Sequence, residues 1–231
     1  MWQATLDGRA LRFVLAGINN QNFIMRDEET GSWWQQVSGE AIRGPLRGKR
    51  LQHVPHDEIT FARWRSEAPA GRVLRPAADT TWVKFSRNWE EETAKYPVRI
   101  AATLDSVLGP REVVAGVDLD GRTRAYPIEA IRRHTPLHDQ VGSVPVVLVL
   151  AGDGSLRGFD RRVDGQALEF FARTDSTDLV LVDGSTGTVW DFTGRGTAGP
   201  QRGKQLKPVY LQQDYWFDWK GYHPGTTVYR R

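Results

Sequence analysis

Cysteine is absent from the 231 residues, which removes disulfides, thiolate metal sites and thiol nucleophiles from this chain. Long apolar runs are absent too. The longest, Pro145 to Gly152 (PVVLVLAG), is far short of the roughly 20 residues that cross a bilayer and short of a signal peptide's apolar stretch, so the sequence shows no membrane span and no targeting segment. A charge excess is nearly absent: 31 Lys and Arg against 28 Asp and Glu leave +3. Although the sequence pI is about 9.3, the basic residues are scattered between acidic ones, so nucleic acid is not an expected partner. No Gly-x-Ser-x-Gly elbow, phosphate loop, dinucleotide fingerprint or zinc-hydrolase motif occurs, and no cofactor is called for.

What remains is a chain with 39% hydrophobic and 26% charged residues and nine tryptophans, enough to fill a folded core. Its main feature is an internal repeat. The stretch TGSWWQQVSGEAIRGPLRGKRLQHV from Thr30 returns as TGTVWDFTGRGTAGPQRGKQLKPV from Thr186. Gly44-Pro45 pairs with Gly199-Pro200, Gly48-Lys49 with Gly203-Lys204, Leu51 with Leu206 and Trp64 with Trp219 at one constant offset, and Asp7-Gly8 and Phe13 face Asp164-Gly165 and Phe170. Asp-Gly pairs at 7–8, 120–121 and 164–165 lie between alternating or apolar runs, the hairpin signature, because such turns need positive φ. Thr60 to Glu67 (TFARWRSE) puts Phe61 and Trp64 on one helical face and stops at Pro69, and Ile128 to Arg133 reads as another helical turn.

The pattern predicts a mainly β (α+β) protein: two diverged tandem copies of a strand-rich, sandwich- or barrel-like unit, each closed by a short helix. Residues 1–76 form the first copy, 77–112 a connector packed around Trp82 and Trp89, and 113–231 the second copy. The second copy can be followed back from Asp164 to Val113, whereas six residues precede Asp7. The first copy is thus read as lacking its leading half, with an open strand edge or apolar patch expected near Met1 to Phe13.

Thr30 to Leu51, the phrase GVDLDGRTRAYPIEAI from Gly116, the Val144-Pro145-Val146-Val147 strand and FDRRVDG from Phe159 resemble an uncharacterised bacterial and archaeal family known only as a domain of unknown function. The resemblance covers most of both copies. It implies a Cys-x-x-Cys at the end of the apolar strand, with selenocysteine in that pair in some members. Here the stretch is Leu150-Ala151-Gly152-Asp153-Gly154, without sulfur, so no redox or metal activity carries over to the second copy. The first copy's pair is expected just upstream of Met1, where a selenocysteine codon reads as a stop.

Positions common to both copies, such as Trp34/Trp190 and Gly44/Gly199, read as structural, because turns and core rings are what two copies of one fold keep. Polar residues of the first copy are the candidate pocket: Arg26, Asp27, Trp33, Gln35, Gln36 and Glu40, joined by Asn19 to Asn22, with Arg26 and Asp27 as an ion pair or anion anchor. The competing reading is a solvated strand face. His53, His56 and Asp57, and His134, His138 and Asp139, have spacings a metal can use, but each set is interrupted by proline and lacks a dependable third ligand, so no metal is assigned. Two function classes follow. One is a redox- or metal-linked protein whose reactive pair lies upstream. The other is a cysteine-free module binding a small molecule or a protein in a tryptophan-lined groove.

Overall fold

The computed structural model describes residues 1–74, 88–100, 105–173 and 178–230. It is mainly β, built of short hairpins and open four-stranded sheets with a few one- to two-turn helices. The three Asp-Gly pairs turn as expected: both residues of each have φ between 50° and 82°, the twist that suits right-handed strands.

In chain order, β1 (Thr5–Leu6) and β2 (Arg9–Ala10) form a hairpin. β3 (Phe13–Asn19), β4 (Asn22–Asp27), β5 (Trp33–Gln35) and β6 (Ala41–Arg43) form an antiparallel meander in that order. α1 (Phe61–Glu67) follows, its first turn capped by the Thr60 hydroxyl accepting from the Arg63 N–H at 3.2 Å. α2 (Trp89–Lys95) lies in the connector. Trp89, expected to pack, is 55% exposed, and Trp82 lies outside the described residues.

β7 (Val113–Leu119) and β8 (Arg122–Pro127) lead into α3 (Ile128–His134), then β9 (Leu137–Val141), β10 (Val144–Leu150) and β11 (Leu156–Asp160). β12 (Arg162–Val163) and β13 (Gln166–Ala167) form a hairpin. β14 (Phe170–Ala172), β15 (Leu181–Asp183), β16 (Val189–Trp190) and β17 (Gly196–Ala198) form a second meander. β18 (Lys207–Pro208), β19 (Leu211–Tyr215), α4 (Trp216–Tyr222) and β20 (Thr227–Val228) complete the chain. β19-β7-β8-β20 and β18-β11-β10-β9 are the remaining four-stranded sheets. The layers are those of open sandwiches; no closed barrel forms among the described residues.

The apolar run of β10 has a physical reason. Val146, Leu148 and Leu150 join one core with Val117, Tyr126 and Ile131, while Val147 and Val149 join a second with Phe159, Phe170, Trp190 and Leu206. A strand buried on both faces has no polar positions to alternate. On the outer face of β7–β8, α4 buries Trp216 and Trp219 against Val114 and Ala125.

The two meanders are built alike in detail. Trp34 Nε1 donates to Asp27 at 2.7 Å and Trp190 Nε1 to Asp183 at 3.0 Å. Phe13 meets Trp34 edge-on at 5.8 Å, and Phe170 meets Trp190 at 5.9 Å. Gly44 and Gly199 have φ of 97° and 95°, and a Cβ at either would stand under 3 Å from the Cα of Ser32 or Thr188, so glycine is required twice over. Their surroundings differ. Phe61 on α1 is 60% exposed, its ring stacked on Trp64, whereas Trp216 at the corresponding position of α4 is fully buried. β3 is an edge strand with Leu15 and Ile18 exposed.

Candidate functional site

The first meander and the second unit meet along a polar seam. Two arginines hold it. Arg157, 7% exposed, binds Asp57 and Glu67 from the first unit with nitrogen–oxygen distances of 2.7 Å. Arg63 of α1 reaches Asp153 at 3.2 Å and Asp178 at 2.8 Å. Asp153 is the residue in the stretch where the resemblance implies sulfur. Here it takes hydrogen bonds from the Thr60 hydroxyl and the Ser155 N–H, which makes it a fastening between the units.

Beside these locks lies a cavity of about 320 Å³ lined by Trp2, Asn22 and Gln36 of the first unit, His56 and Glu58 of the following loop, and Tyr210, Gln212, Asp214 and Asp218 of the second. A larger cleft of about 630 Å³ opens elsewhere, between the tips of the β7–β8 and β9–β10 hairpins. Its lining includes the hairpin turns at 120–121 and 142–143 with Arg122 and Arg124, whereas Glu58, Tyr210, Asp214 and Asp218, all displaced in protonation by burial, gather at the seam, and that is where chemistry is expected.

The centre of the seam is a carboxyl pair. Asp214 is the penultimate residue of β19 and Asp218 sits in the first turn of α4, so the strand-to-helix junction brings them into mutual hydrogen bonding. Burial, and then the neighbouring Asp218, push Asp214 up to about 8; burial raises Asp218 as well. The Tyr215 N–H donates to Asp214 at 2.8 Å and the Gln212 amide at 3.0 Å, and Gln212 in turn accepts from the Tyr210 hydroxyl at 2.7 Å. From the first unit, the Asn22 amide donates to Asp218.

The surrounding groups are also shifted. Burial raises Glu58, one of whose oxygens accepts from the Gln213 N–H at 3.1 Å while the other faces His56 at 3.7 Å. Burial lowers His53 to about 4, so its ring is neutral at pH 7; its Nε2 is enclosed without a partner, and its face meets Tyr210 at 3.9 Å.

Of the residues predicted from sequence, Gln36 lines this cavity, its carbonyl accepting from Trp2 Nε1 at 2.6 Å. Gln35 accepts from Ser38 and stands near Tyr222. Glu40 pairs with Arg50 at 3.1 Å on the surface, and Trp33 lies under the Arg43 guanidinium. Arg26 is exposed, while Asp27 is fully buried on the other side of β4. Burial pushes the Asp27 carboxyl up, but hydrogen bonds from Trp34 and Thr30 outweigh it and hold the group below its usual range. Asp27 thus serves the core ring, and its lone pairs are spent there. His138 accepts from the Phe170 N–H at 2.9 Å. No group of three or more His, Asp or Glu among the described residues is arranged to hold a metal ion, and none of the described helices is long and apolar enough to cross a membrane.

Fold and site together define a mainly-β domain with a polar, acid-rich cavity. The chain belongs to the family described as Protein of unknown function (DUF3179), whose model matches residues 1–226. Comparison with curated proteins and with solved structures gives no match.

Proposed function

We propose that this chain is a cysteine-free small-molecule binding module, assembled from two diverged copies (1–76 and 113–231, joined by 77–112), with its ligand seated in the seam cavity. The observation that carries the reading is the pair of half-buried Asp214 and buried Asp218 opening onto that cavity beside Glu58. Burying carboxyl groups costs free energy unless they are paired or used, and perturbed groups in a concave site are the mark of binding or chemistry. Among the described residues no Lys or Arg side chain lines the cavity, and the rings of Trp2 and Tyr210 border it. Acids, amide oxygens and aromatic faces together suit an organic ammonium group.

The tryptophan-lined groove takes a narrower form in this reading. Trp34, Trp190, Trp216 and Trp219 are core residues, and Trp2 is the indole at the cavity. The redox-linked alternative draws on the family resemblance and needs a thiol or selenol that none of these residues supplies.

Three molecules of similar shape and different charge test the proposal: benzylamine, benzyl alcohol and benzoate. Benzylamine at millimolar concentration is expected to raise the melting temperature, benzyl alcohol to do so weakly and benzoate not at all, with the benzylamine effect lost in Asp218→Asn. Equal responses to all three, or an undiminished response in Asp218→Asn, would remove the seam as the binding site.

A further inference from the structure

Asp214 and Asp218 are in mutual hydrogen bonding, and among the described residues no Lys or Arg ion pair involves either member of this carboxyl pair. Its direct donors are neutral: the Asn22 amide from β4, the Gln212 amide and the Tyr215 N–H from β19. The titratable groups facing it are Tyr222 on α4, Tyr210 ahead of β19, and Glu58 and His56 across the cavity, with the Met1 amine bonded to His56. Lys220, the cation of α4, is turned away toward Asp105 and the Pro224 carbonyl. In such a setting two carboxylates repel at full strength, whereas one proton between them converts repulsion into a hydrogen bond and leaves a single charge for neutral donors to solvate.

We infer that Asp214 and Asp218 hold one shared proton at neutral pH, and that this proton is the latch fastening the β3–β4 hairpin of the first unit to the closing helix α4 of the second. Asn22 is the hairpin's hydrogen bond to the pair, reaching Asp218 across 196 positions of sequence. With the proton in place, Asp218 accepts from Asn22 and is satisfied from the other side by Asp214. With the proton gone, two charges meet at the junction with one neutral amide between them and the hairpin, and hydration of both carboxylates is gained by separating α4 from β4. The inference goes beyond ligand binding, because the latch works in the empty protein and a failed ligand search leaves it standing.

The linkage has a definite sign. Burial and the neighbouring Asp218 push Asp214 up to about 8 in the folded chain from 3.8 for the free side chain, so the folded state keeps a proton that the unfolded state has lost. The folding equilibrium constant therefore falls as pH rises from about 4 to about 8, by up to tenfold per unit, and this contribution levels off above that window.

Carbon-13 NMR of the aspartate carboxyls in the ligand-free protein reads the proton directly. The pair is expected to show one titration step near pH 8, absent in Asp214→Asn. Hydrogen exchange, corrected for its intrinsic pH dependence, is expected to accelerate at residues 19–24 and 216–222 as that step is crossed in the wild type and not in the variant. Both carboxyls losing their protons below pH 5 would overturn the shared proton, a result that needs no variant to fold. A wild-type exchange profile that is unchanged across the step would overturn the latch.

Discussion

Trp34→Ala is expected to destabilise the protein by about 3–5 kcal/mol, the range for truncating a buried tryptophan, whereas Trp33→Ala is expected to change stability by about 1 kcal/mol or less. Trp34 has no solvent exposure, fills the small core formed with Leu11, Ala41 and Leu51, and gives its N–H to Asp27. Its removal leaves a cavity and a buried carboxylate short of one donor. Trp33, one residue away on the opposite face of β5, has a partly exposed ring with Arg43 over it at 5.8 Å. Urea denaturation followed by circular dichroism separates the two, and equal midpoints would contradict the assignment of Trp34 to the core. Trp190→Ala carries the same expectation, because its ring sits on Asp183 in the same way.

Gly116→Val is expected to cost about 1–3 kcal/mol or more, as overpacking does in a site that cannot relax. A Cβ at position 116 would stand 2.2–2.4 Å from three ring atoms of Trp219. The backbone of β7 cannot retreat, because it is paired with β19 on one side and β8 on the other. α4 must lift instead, and with it Asp218. Gly17 on β3 is the control: a Cβ there meets nothing within 4 Å, and Gly17→Ala is expected to leave stability nearly unchanged. Comparable losses from the two substitutions would show that the α4 contact is not the cause.

Local signals translated well into structure where the physics is local. Asp-Gly pairs demand positive φ and became the hairpin turns, Thr60 and Pro69 bracket α1, and the apolar run after Val144 became a strand buried on both faces. The candidate site was legible only in part. Gln36 and Asn22 belong to the predicted polar cluster and do line the cavity. The direction of Asp27 was not readable, because which face of β4 is buried depends on Trp34 of the next strand, β5. The carboxyl pair was missed altogether: its partner Asn22 lies 196 positions away, and with Asp214 on a strand and Asp218 on a helix no single element's periodicity pairs them. A signal was present all the same. In QQDYWFDW two aspartates stand among four aromatic residues, and acids in so apolar a phrase are either buried in pairs or placed for use.

The central claim, that the seam holds the ligand, is tested most directly by following the side-chain amide signals of Asn22, Gln36, Gln212 and Gln213 in a nitrogen–proton correlation spectrum while benzylamine is titrated in. The account predicts saturable shifts at these four amides, with the signals of Gln140 and Arg122 at the hairpin-tip cleft unmoved. Shifts at the cleft with the seam amides stationary would contradict it.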